Sequence, residues 1–200
     1  MKSNIVLDYL NDFVSLIYPQ ICLGCGSTLF KNEDIICITC LHDLPYTNYH
    51  HYSENPVAKS FWGKVPIEAA TAFLFFKKGT RVQTLLHQLK YRNQSSVGLK
   101  LGKIYGNILL EAEPYNKIQG IVPVPLHPHK LKKRGYNQSE VFAKGISEAS
   151  GLPVYLNLQR NKFTETQTRK SRFERFENVD QVFIIENPQE IANKHLLLVD

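Results

Sequence analysis

The chain has 200 residues, 43% of them hydrophobic, with a formal net charge of +6 and a sequence pI of about 9.1. That length holds one domain, or one domain plus a small module, and the apolar fraction is enough for a real core. No stretch approaches 18 unbroken apolar residues, which excludes an evident helical membrane span, and no low-complexity tract or internal repeat is visible.

Residues 3–17 come first. Val6, Leu10, Phe13 and Ile17 share one helical face, so this stretch predicts a short amphipathic helix whose job is packing, with partner binding as the alternative. Asp8 and Asp12 interrupt its apolar run, which makes it a poor secretory signal and points to the cytoplasm. All four cysteines follow, between positions 22 and 40. In a reducing compartment such clustering indicates metal or redox chemistry rather than disulfides.

Cys22 and Cys25 are separated by two residues, as are Cys37 and Cys40. Each C-x2-C places two thiolates on one side of a metal, and two such pairs complete a closed tetrahedral site. Structural zinc is the expectation for Cys22, Cys25, Cys37 and Cys40, with iron as the other metal that four thiolates accept. A thioredoxin-like redox motif needs one pair in a βαβ setting and leaves the second pair unexplained. Gly24 and Gly26 favour a turn in which amides approach the sulfurs, and His42 is a spare ligand by position only.

Residues 45–66 are polar, aromatic and proline-punctuated, and read as a linker with little regular structure. Its His50–His51 pair reads as solvated, with metal ligation as the weaker alternative. "EAATAFLFF" (68–76) predicts a buried strand. "RVQTLLHQLKYR" (81–92) sets Val82, Leu85, Leu86 and Leu89 on one helical face, and 99–112 repeats the pattern with Leu101, Ile104, Tyr105 and Ile108. "IVPVP" (121–125) is a short strand. Phe142, Gly145, Ile146 and Ala149 mark another helix, with Asn137 and Glu140 as a capping box and Gly151 and Pro153 as its stop. Strands are predicted at 154–158, 181–185 and 195–199. Their alternation with helices predicts an α/β fold with a parallel sheet. The resulting division is a helix at 1–20, a cysteine module at 21–45, a linker at 46–66 and an α/β domain at 67–200.

The basic excess is local. Residues 127–134 carry four positive charges and no acid, and residues 160–175 carry six basic side chains against Glu165 and Glu174. Such runs are commonly solvated faces; here they flank turn residues, so an anionic ligand or nucleic acid is weighed beside that reading. In "IVPVPLHPHKLKKRGYNQSE" a strand crosses a proline-rigid basic loop into a capped helix. Arg134, Gly135, Tyr136 and Asn137 then supply a guanidinium, a turn, a ring and a cap suited to an anion. Pairing of Arg134 with a surface acid is the structural alternative.

Taken in order, the C-x2-C pairs, "LLHQLKYRNQ", "VPVPLHPHKLKKRGYNQSE", "TETQTRKSRFERFENVDQVF" and the final "HLLLVD" resemble the ComF family, ComFC- or GntX-like competence proteins of bacterial natural transformation. The resemblance implies a type I phosphoribosyltransferase-like parallel sheet behind a zinc-ribbon-like module of four cysteines. It implies that Asp200 is the first acid of a phosphoribosyl pyrophosphate motif, acting with magnesium. Lys90, Tyr91 and Arg92 fall at a pyrophosphate-contacting loop, and Gln167, Arg169, Arg175 and Asn178 form a hood. Asp200, Arg134 and Lys90 would carry catalysis by positioning anions around an oxocarbenium-like state.

"LLLVD" thus enters a phosphate motif whose next turn is not in the chain. The expectation is a sequence cut short, with no competent phosphoribosyl pyrophosphate site as it stands. Three functions follow. The first is an accessory of DNA uptake that holds single-stranded DNA through Lys130, Lys132, Lys133, Arg134 and Tyr136, aided by Phe163, Phe173 and Phe176. By resemblance its partners are a competence helicase and a recombination loader. The second is a phosphoribosyltransferase with an unread acceptor. The third is a scaffold docked through the zinc module.

Overall fold

The structure is a computed structural model that describes residues 18–160 and 182–200. The expected helix at 3–17, the hood residues Gln167, Arg169, Arg175 and Asn178, and Phe163, Phe173 and Phe176 lie outside the described residues.

The cysteine segment ends in α1 (Ile38–His42). A 3-10 turn (Tyr49–His51) and α2 (Pro56–Lys59) follow, then α3 (Arg81–Tyr91) and α4 (Ser95–Leu109). Helix α3 buries Val82, Leu85 and Leu89, the face its spacing predicts. Helix α4 buries Val97, Leu101, Tyr105 and Leu109 at four-residue intervals, with Gly98, Gly102 and Gly106 beside them. After a 3-10 turn (Tyr115–Lys117) come β1 (Gly120–Pro123), α5 (Pro128–Arg134) and α6 (Gln138–Ser150). The described part closes with β2 (Leu158–Arg160), β3 (Phe183–Ile185), α7 (Pro188–Ile191) and β4 (Leu196–Val199).

The fold is mixed α/β with a small parallel sheet. β1 pairs in parallel with β4, Ile121 opposite Leu197, and all four β1 residues are buried. On its other side Ile121 bridges Val154, also in parallel, with Tyr155 N–H donating to the Ile121 carbonyl at 2.8 Å. Beyond that bridge the strand predicted at 154–158 is not continuous; regular pairing resumes at β2, antiparallel to β3. Asn157 turns the chain there, its amide donating to the Glu186 carbonyl (2.9 Å) and to the Glu190 carboxylate (2.8 Å).

Two stretches need correction. The stretch 68–76 is no strand: it makes one antiparallel bridge, Leu74 with Tyr46, and Phe75 and Phe76 are exposed. Its apolar content serves ring packing instead, Phe73 stacking on Tyr105 with centroids 4.5 Å apart. The basic loop at 127–134 is helix α5. Pro128 fits the first helical position, where no N–H is needed, and His127 caps it by accepting from His129 N–H at 3.2 Å. The stretch 46–66 has little regular structure, a 3-10 turn and one four-residue helix, and Asn55 pins it. Asn55 is buried, accepts from the amides of Val57 and Ala58, and donates to the carbonyls of Tyr49, Tyr52 and Ala70.

Helix α6 begins as expected, Asn137 accepting from Ser139 N–H at 3.2 Å. Glu140 pairs with Lys144 (3.1 Å), one turn along, rather than serving as the far half of a box. Gly151, at φ 74°, closes the helix. Helices α4 and α6 pack so closely that their backbones touch. A Cβ on Gly102 would lie 2.2 Å from the Phe142 carbonyl oxygen, and one on Gly145 would lie 2.3 Å from that of Leu99.

One core group joins Cys22, Ile36, Cys37 and Cys40 to Leu85, Leu89, Val97 and Leu101. A second gathers Tyr105, Leu109, Ala112 and Tyr115, and a third Ile121, Ala143, Ile146 and Val199. Phe142 packs against all three. Among the described residues no helix is long and apolar enough to cross a membrane.

His50 is also unlike its expectation. It is buried, its ring 6.1 Å from that of Tyr105 and 4.0 Å from that of His51, and neither ring nitrogen has a hydrogen-bond partner. Burial, and secondarily the neighbouring His51, hold its pKa below the ordinary imidazole value.

Two outcomes follow. Gly102→Ala should lower unfolding stability by about 3 kcal/mol, the upper end of core overpacking, read as a fall in the urea midpoint. His50 binds its proton more weakly folded than unfolded. Its contribution is therefore complete above about pH 6.5 and is lost as pH falls below that toward the folded pKa, with a slope of at most about 1.4 kcal/mol per pH unit. His50→Leu should flatten the stability profile over that window in parallel urea titrations.

Candidate functional site

Two sites stand out, one of sulfur and one of positive charge. The first is built from two turns. Gly26 N–H donates to the Cys22 carbonyl at 2.8 Å, closing a knuckle in which Gly26 has φ 79°. Cys37 caps the short helix that carries Cys40. The four Sγ atoms lie within 4.8 Å of one another, those of Cys25 and Cys37 at 3.8 Å. A tetrahedron with metal–sulfur bonds of about 2.3 Å has edges of about 3.8 Å, so the donor set fits a thiolate-bound dication. Amides point at the sulfurs: Cys37 N–H donates to Cys22 Sγ at 3.2 Å, and Gly24 N–H to the same atom at 3.4 Å. A Cβ on Gly24 would stand 3.2 Å from Cys40 Sγ, which accounts for a glycine there.

Cys22, Cys37 and Cys40 are buried, whereas Cys25 is exposed. Hydrogen bonds from Ser27 hold the Cys25 thiol down at about 6, and burial pushes Cys37 and Cys40 up. Four thiolates this close repel one another, and a dication among them reverses that repulsion. His42 is no fifth donor: its Nδ1 lies 3.1 Å from the Asp43 carboxylate, and its side chain is open to solvent.

The second site is a cleft of about 670 Å³ between the end of α3 and helix α5. Lys90 and Tyr91 line one wall; Lys130, Lys132, Lys133 and Arg134 line the other. Asn93, at φ 56°, and Gly135, at φ 79°, turn the chain out of the two helices at its base. Among the described residues no carboxylate lines the cleft. Arg134 donates to the neutral Gln138 side chain at 2.7 Å, and its guanidinium lies 5.7 Å from the centre of the Tyr91 ring. Among the described residues no acid pairs with it, and its partners there are the neutral Gln138 and the Tyr91 ring.

The sequence-expected residues thus divide. Lys90 and Tyr91, read as pyrophosphate contacts, and Lys130, Lys132, Lys133 and Arg134, read as nucleic-acid contacts, form one cleft. Tyr136 stands behind it. It is half-buried, packs against the cysteine-centred core, and donates its hydroxyl hydrogen to the Leu89 carbonyl. Arg92 caps α3 and does not line the cleft. Asp200 follows β4, exposed and not among the residues lining the cleft, where Val124 N–H binds the preceding Val199 carbonyl at 2.8 Å. Asn93 and His129 were missed; the only local signal was an asparagine just past a helix end and a histidine between proline and lysine.

No protein-family model matches the chain, and no solved structure does. Among curated proteins it is similar to Competence protein F of Haemophilus influenzae, 26% identical over 58% of this chain and 53% of that protein. It is also similar to the DNA utilization protein YhgH of Escherichia coli K12, 27% identical over 58% of this chain and 52% of that protein, and to YhgH of Salmonella typhimurium, at 28% over the same shares. The chain spans about half the length of the curated relatives it matches. These relatives, named for competence and for DNA utilization, bear out the ComF-family resemblance carried by the chain's motifs.

Proposed function

We propose that the chain serves in DNA uptake or utilization, holding the phosphate chain of single-stranded DNA in the cleft between α3 and α5. The observation that carries this reading is the lining: five cationic side chains and no carboxylate among the described residues. Cations in that density attract phosphates and release their counterions, so affinity depends on salt. The names of the relatives support the same reading. A competence helicase and a recombination loader are the partners it proposes, in the cytoplasm.

Zinc is the metal we assign to Cys22, Cys25, Cys37 and Cys40. Bound there, it supplies a closed structural cross-link and no open coordination position. The cysteines hold the turns, and Arg81 and Lys100 tie the segment to α3 and α4 through Asp43 and Asp34.

A phosphoribosyltransferase-like fold and activity form the second reading. One observation favours it: β4 runs parallel to β1 and delivers Asp200 past its C-terminal end, where α/β sheets bind ligands. In that reading Asp200 binds ribose hydroxyls beside magnesium, and Lys90 and Arg134 neutralise pyrophosphate. A scaffold role would leave both the cleft and the sheet end without ligand.

In fluorescence anisotropy with a labelled oligothymidylate, Lys132→Ala with Lys133→Ala should weaken binding about tenfold at moderate salt. The log–log salt slope should drop by about two. Unchanged affinity removes the cleft from consideration. Pyrophosphate release on incubation with phosphoribosyl pyrophosphate and magnesium would bring the enzyme reading forward instead. Metal analysis of the purified chain should return one zinc per chain, and Cys40→Ser should lose it together with stability; a strong visible absorption would indicate iron.

A further inference from the structure

The basic lining explains attraction to phosphates but not the aromatic ring set among them. Tyr91 ends the 11-residue helix α3 and is 63% exposed. It is the one phenol ring lining the cleft among the described residues. A single exposed tyrosine is ordinary in itself. This one is held in place: Arg134 lies 5.7 Å from its centroid, the guanidinium being fixed in turn by Gln138, and the His87 ring is 5.0 Å away. Lysines flank it from both helices.

We propose that Tyr91 is the base-stacking platform of the cleft, with Arg134 as its charged partner, and that it makes the site selective for unpaired bases. This rests on the reading of the cleft as a single-strand site and deepens it. Phosphate contacts alone do not distinguish a single strand from a duplex; a ring that needs an open base face does, because in a duplex both faces of each base are already stacked. The cleft volume, about 670 Å³, falls within the range of ligand pockets, roughly 300–1,000 Å³, and suits on the order of one or two nucleotides. Tyr136, the ring the sequence puts forward for this task, is occupied by the Leu89 carbonyl and the core. Its part is to hold the end of α3, and with it Tyr91, at the cleft edge.

The test compares three labelled probes against the full 200-residue chain: an oligothymidylate, an abasic strand of equal length, and a duplex. Tyr91→Ala should weaken oligothymidylate binding about tenfold, leave the abasic strand and the duplex within about twofold, and so erase the preference for unpaired bases. Tyr91→Phe should restore it. Equal weakening on the abasic strand means that Tyr91 only shapes the cleft, and overturns the proposal, as does an unchanged oligothymidylate affinity. If the unaltered chain binds neither single strand, the single-strand reading falls and this proposal with it. If it binds but the double lysine variant binds equally well, the strand lies elsewhere, and the stacking role is overturned on that ground.

Discussion

The contact on which the described structure turns is backbone against backbone, where α4 crosses α6. Gly102 and Gly145 meet with no side chain between them. Elements next to the cleft are tied back to that crossing. On one side α4 carries Val97 and Leu101 into the core that holds α3. On the other, α6 carries Ala143 and Ile146 onto Ile121 of the parallel sheet. The start of α6 is tied to the end of β1 by Asn137, whose amide donates to the Val124 carbonyl at 2.9 Å. The helices beside the cleft are thus anchored through residues that do not themselves line it.

The electrostatics of the cleft follow from its two walls both being helix ends. Helix α3 carries Lys90 in its last turn, and α5 carries Lys132, Lys133 and Arg134 in its own. The carbonyls exposed at a helix C-terminus carry partial negative charge, and cations placed there are stabilised by it. Clustering that would otherwise be self-repelling is thereby eased. The same carbonyls do not cancel the charge carried by the side-chain tips that line the cleft.

Local rules made part of this visible in the sequence. The cysteine site was legible because ligand spacing is short-range, and His42 could be set aside by the completeness of four thiols. Helices α3 and α6 were legible from their apolar spacing and cap. What failed was, with one local exception, tertiary. Three lysines between proline and glycine read as a loop, although proline at a first helical position and good helix formers after it favour a helix. The apolar run at 68–76 read as a strand, although its rings are used against Tyr105 and no long partner strand is beside it. His50 read as solvated because nothing in its polar neighbourhood announces the ring of Tyr105, which is 55 residues further along the chain. The cleft itself could not be read, since Lys90 and Lys132 are brought together only by the turns at Asn93 and Gly135.

The shared core of cysteines and helices bears on how the molecule can be taken apart. Leu85 and Leu89 are covered in part by the very residues that form the cysteine turns. A cut placed before α3, to isolate the α/β portion, would uncover an apolar face of two helices rather than release an independent head. Deletion of the head is thus a poor probe of what the head touches: the remaining piece would tend to stick to itself, and lost activity would report lost solubility. The chain is better dissected by point changes at its surface, one wall of the cleft at a time.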